Sequence, residues 1–110
     1  MGGKKRGKEV YRVFRTEGYE ELFDKLDNRE QEMVRNLERQ VKEQPFSSKQ
    51  LGLYFFREKK FGGKRVLFLI YQRYAIVLLV LITKKKTQQR DIDFIKNNLN
   101  GFEELVKNVY

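Results

Sequence analysis

The sequence contains no cysteine and no histidine. Without cysteine there is no disulfide, no thiolate metal site and no cysteine nucleophile, a composition that suits a reducing compartment. Without histidine the chain lacks the most used general base and the main nitrogen ligand of zinc. Any catalysis must then draw on Lys, Arg, Tyr, Asp or Glu, and no metal and no cofactor are expected. Long apolar runs are also missing. The longest, Ala75 to Ile82, has eight residues, whereas a membrane-spanning helix needs about 20. The opening MGGKKRGK is basic but has no apolar stretch of the kind a signal peptide requires. Gly2 raises the question of myristoylation, but Arg6 stands where Ser or Thr is wanted. These absences predict a cytoplasmic protein with no membrane association and no small-molecule cofactor.

Acid is scarce where base is dense. The whole chain has 24 Lys and Arg against 15 Asp and Glu, a net charge of +9. Residues 17–44 hold nine acids and five bases, a net of −4. Residues 49–90 hold eleven bases and a single acid, Glu58, a net of +10, and the first eight residues add +4. A surface that serves solubility mixes its signs. Separation on this scale is the footprint of a face that meets a polyanion, the plainer alternative being a solvated basic surface.

At 110 residues, with 40% hydrophobic and 14% aromatic content, the chain can form one domain around a core and is too short for two. Residues 1–8 read as a disordered basic arm and 9–110 as the domain. Val10–Phe14 reads as a strand. A helix over about 18–26 is expected from Tyr19, Leu22, Phe23 and Leu26 on one face. Asn28 is a candidate N-cap for a second helix over about 29–43, striped by Val34, Leu37 and Val41 with Met33 alongside, and ended by Pro45. The two helices are expected to form an antiparallel hairpin. After a loop at 46–52 come three predicted strands, 53–60, 64–71 and 75–83, joined by turns at Phe61-Gly62-Gly63 and Gln72-Arg73-Tyr74, an antiparallel meander. The third is apolar on both faces, which predicts a central strand covered on both sides. Apolar residues at Ile92, Ile95, Leu99, Phe102, Val106 and Val109 predict a C-terminal helix over 89–108, either kinked at Gly101 or divided there into two helices. The expected class is α+β, with a four-stranded sheet and helices packed on it.

In that meander three basic runs meet. Arg57, Lys59 and Lys60 close the first strand, Lys64 and Arg65 open the second, and Lys84, Lys85 and Lys86 follow the third. All should converge on one end of the sheet. Tyr54, Phe61, Tyr71 and Tyr74 lie in or near it, as core residues or as platforms on which bases stack.

The order of elements resembles the RelE/ParE toxin superfamily, most closely its RelE- and HigB-like branches, over residues 10–99. Three features carry the resemblance. Leu51-Gly52 follows the helix pair and Pro45, like the leucine-glycine ahead of the family's second strand. Gly63-Lys64-Arg65-Val66 is similar to the family's glycine, any residue, arginine, aliphatic signature. Lys84-Lys85-Lys86-Thr87, between the apolar strand and a helix, resembles the lysine-lysine-threonine segment of HigB-like members. The resemblance implies a metal-independent mRNA endonuclease acting in the ribosomal A site and neutralised by a small cognate antitoxin. It places Arg65 at the scissile phosphate, Arg57 and Lys59 around the attacking 2′-hydroxyl, and Lys85 as the basic residue after the last central strand. Lys60, Lys64, Lys84, Lys86 and Arg90 are then RNA contacts. Two departures stand out. The region where RelE-like members carry a tyrosine reads Gln88-Gln89-Arg90-Asp91, and the histidines of HigB-like members are absent.

The residues themselves support the same chemistry. Cleavage by a 2′-hydroxyl needs charge stabilisation at phosphorus and proton transfer at two oxygens. Arginine can give the first through a bidentate contact, and a lysine crowded by like charges is suited to act as base. The alternatives are that the cations only bind phosphate, on a non-catalytic RNA- or ribosome-binding module, or that the protein is a ParE-like inhibitor of gyrase.

Overall fold

The computed structural model describes residues 10–110, so the expected basic arm at 1–8 lies outside the described residues. The fold is α+β. Strands β1 (Arg12–Arg15), β2 (Lys49–Gln50), β3 (Phe56–Phe61), β4 (Lys64–Tyr71) and β5 (Ile76–Lys84) form one sheet in the order β1-β5-β4-β3-β2. The sheet has five strands, not four. The added strand, Lys49–Gln50, is two exposed polar residues paired with Glu58 and Arg57, and carries no apolar alternation by which it could be recognised. The meander β3-β4-β5 is antiparallel as expected, whereas β1 lies parallel to β5 at the far edge.

Helices α1 (Glu17–Asp24) and α2 (Asn28–Glu43) cover one face. Tyr19, Phe23, Val34, Leu37 and Val41 pack there against Val66, Phe68, Ile70, Val77 and Leu79. The N-cap of α2 is Asp27 instead of Asn28. Its carboxylate accepts from Glu30 N at 2.7 Å, and the Glu30 carboxylate returns a bond from Asp27 N, a reciprocal box that satisfies two donors otherwise left free. On the other face, α3 (Gln88–Lys96) and α4 (Leu99–Val109) bring Ile92, Ile95 and Val106 onto Phe56, Leu67, Leu69, Leu78 and Val80. The predicted apolar stripe is continuous, but the helix divides at Asn97-Asn98 and not at Gly101. The Asn98 side chain donates to Phe94 O at 2.7 Å, offering the backbone an alternative to helix, while Gly101 sits inside α4. Core on both sides makes β5 the two-faced strand that its composition predicts.

The first strand of the meander starts at Phe56 instead of Leu53, because residues 52–55 turn: Phe56 N donates to Leu53 O, and Gly52 takes φ +86°. Gly62 stands at the first central position of the two-residue β3–β4 turn with φ +55°, a conformation glycine enters without strain. Where β5 crosses Leu67 and Phe68 the register slips by one residue, so Leu67 faces Leu81 while Phe68 faces Leu79. No helix among the described residues is long and apolar enough to cross a membrane.

Candidate nucleic-acid interface

The register brings the basic runs together at the Gly62-Gly63 end of the sheet. Lys60 lies directly opposite Arg65, and Lys64 opposite Lys84. Like charges in such pairs destabilise a sheet, so folding places these cations together at a cost. Lys85 and Lys86 are exposed in the 3₁₀ turn Lys85–Thr87 that leads from β5 into α3. Arg90 is exposed in the first turn of α3, 3.3 Å from Asp91.

The strand alternation then divides the cluster between two faces. Arg57 and Lys59 sit opposite Phe68 and Val66, on the α2 side, and Lys64 is held there by Glu30 at 3.0 Å. Lys60 and Arg65 are on the α3 side with Glu58, whose cross-strand partner is Leu67. Arg65 therefore does not share a face with Arg57 or Lys59, contrary to the expected grouping.

Arg57 requires a second correction. It is only 6% exposed. Its Nε donates to Tyr54 O at 2.8 Å, and its Nη1 donates to Phe46 O at 3.2 Å and Ser48 O at 2.8 Å. Phe46 and Tyr54, stacked on each other at 4.8 Å, both flank the guanidinium. A cation held this way ties the turn before β3 to the chain after α2. It is not presented to an attacking hydroxyl.

On the α3 side the sheet carries a polar network absent from the sequence-based list. Glu58 is buried to 2% exposure, with Arg65 Nε 3.8 Å from Oε1, Lys49 Nζ 3.8 Å from Oε2, and the Gln88 amide donating to Oε1. Thr83, the cross-strand partner of Arg65, donates its hydroxyl to Asp91 at 2.6 Å and lies 3.0 Å from Thr87 Oγ1. The one sequence signal for this network was Glu58 itself, the lone acid in the +10 segment. Its partners lie up to 30 residues away, too far for spacing to reveal. No group of three or more acids that could hold a metal occurs among the described residues.

The aromatic candidates separate. Phe61 is in the core, Tyr71 is half-buried against the α3–α4 side, Tyr54 is exposed on Phe46, and Tyr74 packs on Tyr110 at 4.4 Å. Burial pushes the Tyr71 hydroxyl up to about 12, with the charge of Glu103 adding to the shift.

No protein-family model and no curated protein matches the chain by sequence. Solved structures do. The chain is similar to a double arginine-to-alanine mutant of the E. coli toxin RelE in the free state, with TM-score 0.70 and 17% identity over 81% of this chain and 98% of that one. It is similar to the intact E. coli RelBE toxin–antitoxin complex, with TM-score 0.62 and 19% identity over 68% and 96%. The RelBE2 toxin–antitoxin complex of Mycobacterium tuberculosis gives TM-score 0.60 and 16% identity over 72% and 98%. The sheet and the helices on its faces are thus arranged in the fold of the RelE toxins.

Proposed function

We propose that this chain is the toxin of a toxin–antitoxin pair, a metal-independent endoribonuclease that cuts mRNA in the ribosomal A site. The observation that carries the reading is the two pairs of opposed cations at the sheet end, Lys60 with Arg65 and Lys64 with Lys84, extended by exposed Lys85 and Lys86. Such a cluster repels itself and gains by meeting phosphates. In the proposed reaction the 2′-hydroxyl of one nucleotide attacks the adjacent phosphorus, and the bond to the 5′-oxygen of the next nucleotide breaks. The products are a 2′,3′-cyclic phosphate and a 5′-hydroxyl. Arg65 grips the phosphate oxygens, whose charge grows in the transition state. Lys85 relays the hydroxyl proton and a neighbouring lysine supplies one to the leaving oxygen, whereas Lys59, on the face away from Arg65, is poorly placed for this expected role. Lys60, Lys64, Lys84, Lys86 and Arg90 hold the flanking phosphates. Arg57 acts from behind, by fixing the turn that leads into β3.

The proposed partner is a small antitoxin, as in the RelBE complexes. An apolar groove of about 650 Å³ lined by Phe14, Leu81, Phe94, Phe102, Leu105 and Val109 offers it a seat, and acids on it would offset the basic end. A non-catalytic RNA-binding module is the second reading. It is favoured by the burial of Arg57, which removes one expected reactive cation. Purified protein added to an in vitro translation reaction, followed by mapping of mRNA 5′ ends, separates the two. Cuts within A-site codons support the endonuclease, stalling without cuts supports the binding module, and neither effect contradicts both.

A further inference from the structure

Glu58 has no obvious reason to be where it is. A carboxylate buried to 2% exposure is costly to desolvate, and replacing a buried ion pair by apolar side chains is often neutral or stabilising. On one side along this face its neighbours, Phe56, Leu67 and Leu69, are apolar core, and on the other are Lys60 and Arg65. Its contacts indicate another purpose. Oε1 faces Arg65 Nε and accepts from the Gln88 amide, while Oε2 has Lys49 at 3.8 Å and no hydrogen bond. Arg65 is itself mostly enclosed, its side chain 12% exposed, and its buried Nε makes no hydrogen bond, so that the Glu58 carboxylate 3.8 Å away meets it by charge alone. The carboxylate thus engages Arg65 from the stem side. The two terminal nitrogens, the fork that matches two phosphate oxygens, have no partner among the described residues.

We infer that Glu58 is a positioning residue: its charge, 3.8 Å from Nε, orients the Arg65 guanidinium from the stem side and leaves the terminal fork free for a phosphate. This rests on the reading of Arg65 as the phosphate contact. The same negative charge offsets the repulsion between Lys60 and Arg65 while the site is empty. Gln88, from the first turn of α3, and Lys49, from β2, keep the carboxylate from rotating away. A side chain pre-oriented in this way accelerates a reaction because a small misplacement of the reacting groups costs rate steeply.

The test uses the full chain with ¹⁵N-labelled arginine. In the wild type the Arg65 Nε–H signal should be sharp and slow to exchange with water, and inorganic phosphate or a short single-stranded RNA should shift it. Glu58→Gln, nearly the same size and uncharged, should lose the slow exchange and broaden the signal. In single-turnover cleavage on ribosomes, Glu58→Gln should lower the rate roughly 10- to 100-fold with half-saturation nearly unchanged. In an Arg65→Lys background it should cost nothing more, because the two act as one unit. Gln88→Leu should act in the same direction more weakly, and it decides the matter if Glu58→Gln does not fold. An unchanged Arg65 signal in both variants, or an equal loss of rate from Glu58→Gln with and without Arg65, overturns the inference. If the wild type does not cleave RNA at all, the functional reading fails, and the Arg65 signal alone then decides the role of Glu58.

Discussion

The two faces of the β3–β4 hairpin carry different charge, three cations (Arg57, Lys59, Lys64) on one and two cations with an acid (Lys60, Arg65, Glu58) on the other, and use it differently. On the side of α2, Arg57 is enclosed by backbone carbonyls and two aromatic rings, and Lys64 is paired with Glu30, which also closes the cap of α2. Two of the three cations there are taken up by holding elements together, while Lys59 has no acidic partner among the described residues. On the side of α3, Arg65 meets one buried carboxylate along its stem and leaves its outer donors open, with Lys60 exposed beside it. Adjacent residues on one strand are thereby given opposite tasks by the two-residue period of the strand. A count of cations at a sheet end overstates what is available to a ligand. What matters is which of them the fold has already satisfied.

The largest expected effect on stability comes from the α2 side. Arg57→Ala leaves the carbonyls of Tyr54, Phe46 and Ser48 without their donor and should cost about 3 kcal/mol in chemical denaturation. A loss below about 1 kcal/mol would mean that the guanidinium is dispensable to the fold and that the contrast between the faces is false.

A smaller effect sharpens the contrast in binding. Lys60 has no acidic partner among the described residues, whereas Lys64 shares its charge with Glu30. Lys60→Ala should reduce the slope of log affinity for single-stranded RNA against log salt by about 0.7, the value for one lost phosphate contact. Lys64→Ala should reduce it by less. Equal slopes would mean that pairing with Glu30 takes nothing from the phosphate contact of Lys64 and would cancel the distinction.

The smallest effect appears only in alkali. A tyrosine on each face has a raised hydroxyl: Tyr19, by burial and the nearby Glu38, and Tyr71, by burial and Glu103. Tyr71 moves from an ordinary value of 10.0 to about 12. In this window the unfolded chain loses a proton that the folded chain keeps, so stability is intact below pH 10 and falls as pH rises toward 12. Tyr71→Phe should flatten part of that fall in melting experiments and change little at neutral pH. An unaltered alkaline slope would place the Tyr71 hydroxyl in water.

Much of the fold was legible because apolar periodicity is local. The stripes of α1 and α2, the two-faced β5 and the Gly62-Gly63 turn all follow from short stretches of sequence. The alternation of β3 and β4 was legible too, but not its consequence, since no residue in Arg57-Glu58-Lys59-Lys60 says which helix pair will cover which face. The strand at Lys49–Gln50 escaped because two polar residues have no pattern. The Leu53–Phe55 stretch misled because an alternating apolar triplet can equally form a turn. The helix break escaped because the apolar spacing runs unbroken across Asn97-Asn98. At the site, convergence of the cations could be read from topology, whereas the fate of Arg57 depended on carbonyls from the chain around Pro45. The same limit applied to Glu58, whose partners come from β2, β4 and α3.

The most direct test sets the two arginines against each other in one assay. Arg57→Lys and Arg65→Lys are compared with the wild type by mapping mRNA 5′ ends in a translation reaction, at a temperature where melting curves show all three proteins folded. Arg65→Lys should lose cleavage by about 2–4 kcal/mol of transition-state stabilisation while its melting temperature holds. Arg57→Lys should melt earlier and cut as the wild type does. Full cleavage by Arg65→Lys, with loss of cleavage in folded Arg57→Lys, would contradict the assignment of Arg65 to the phosphate and of Arg57 to the fold.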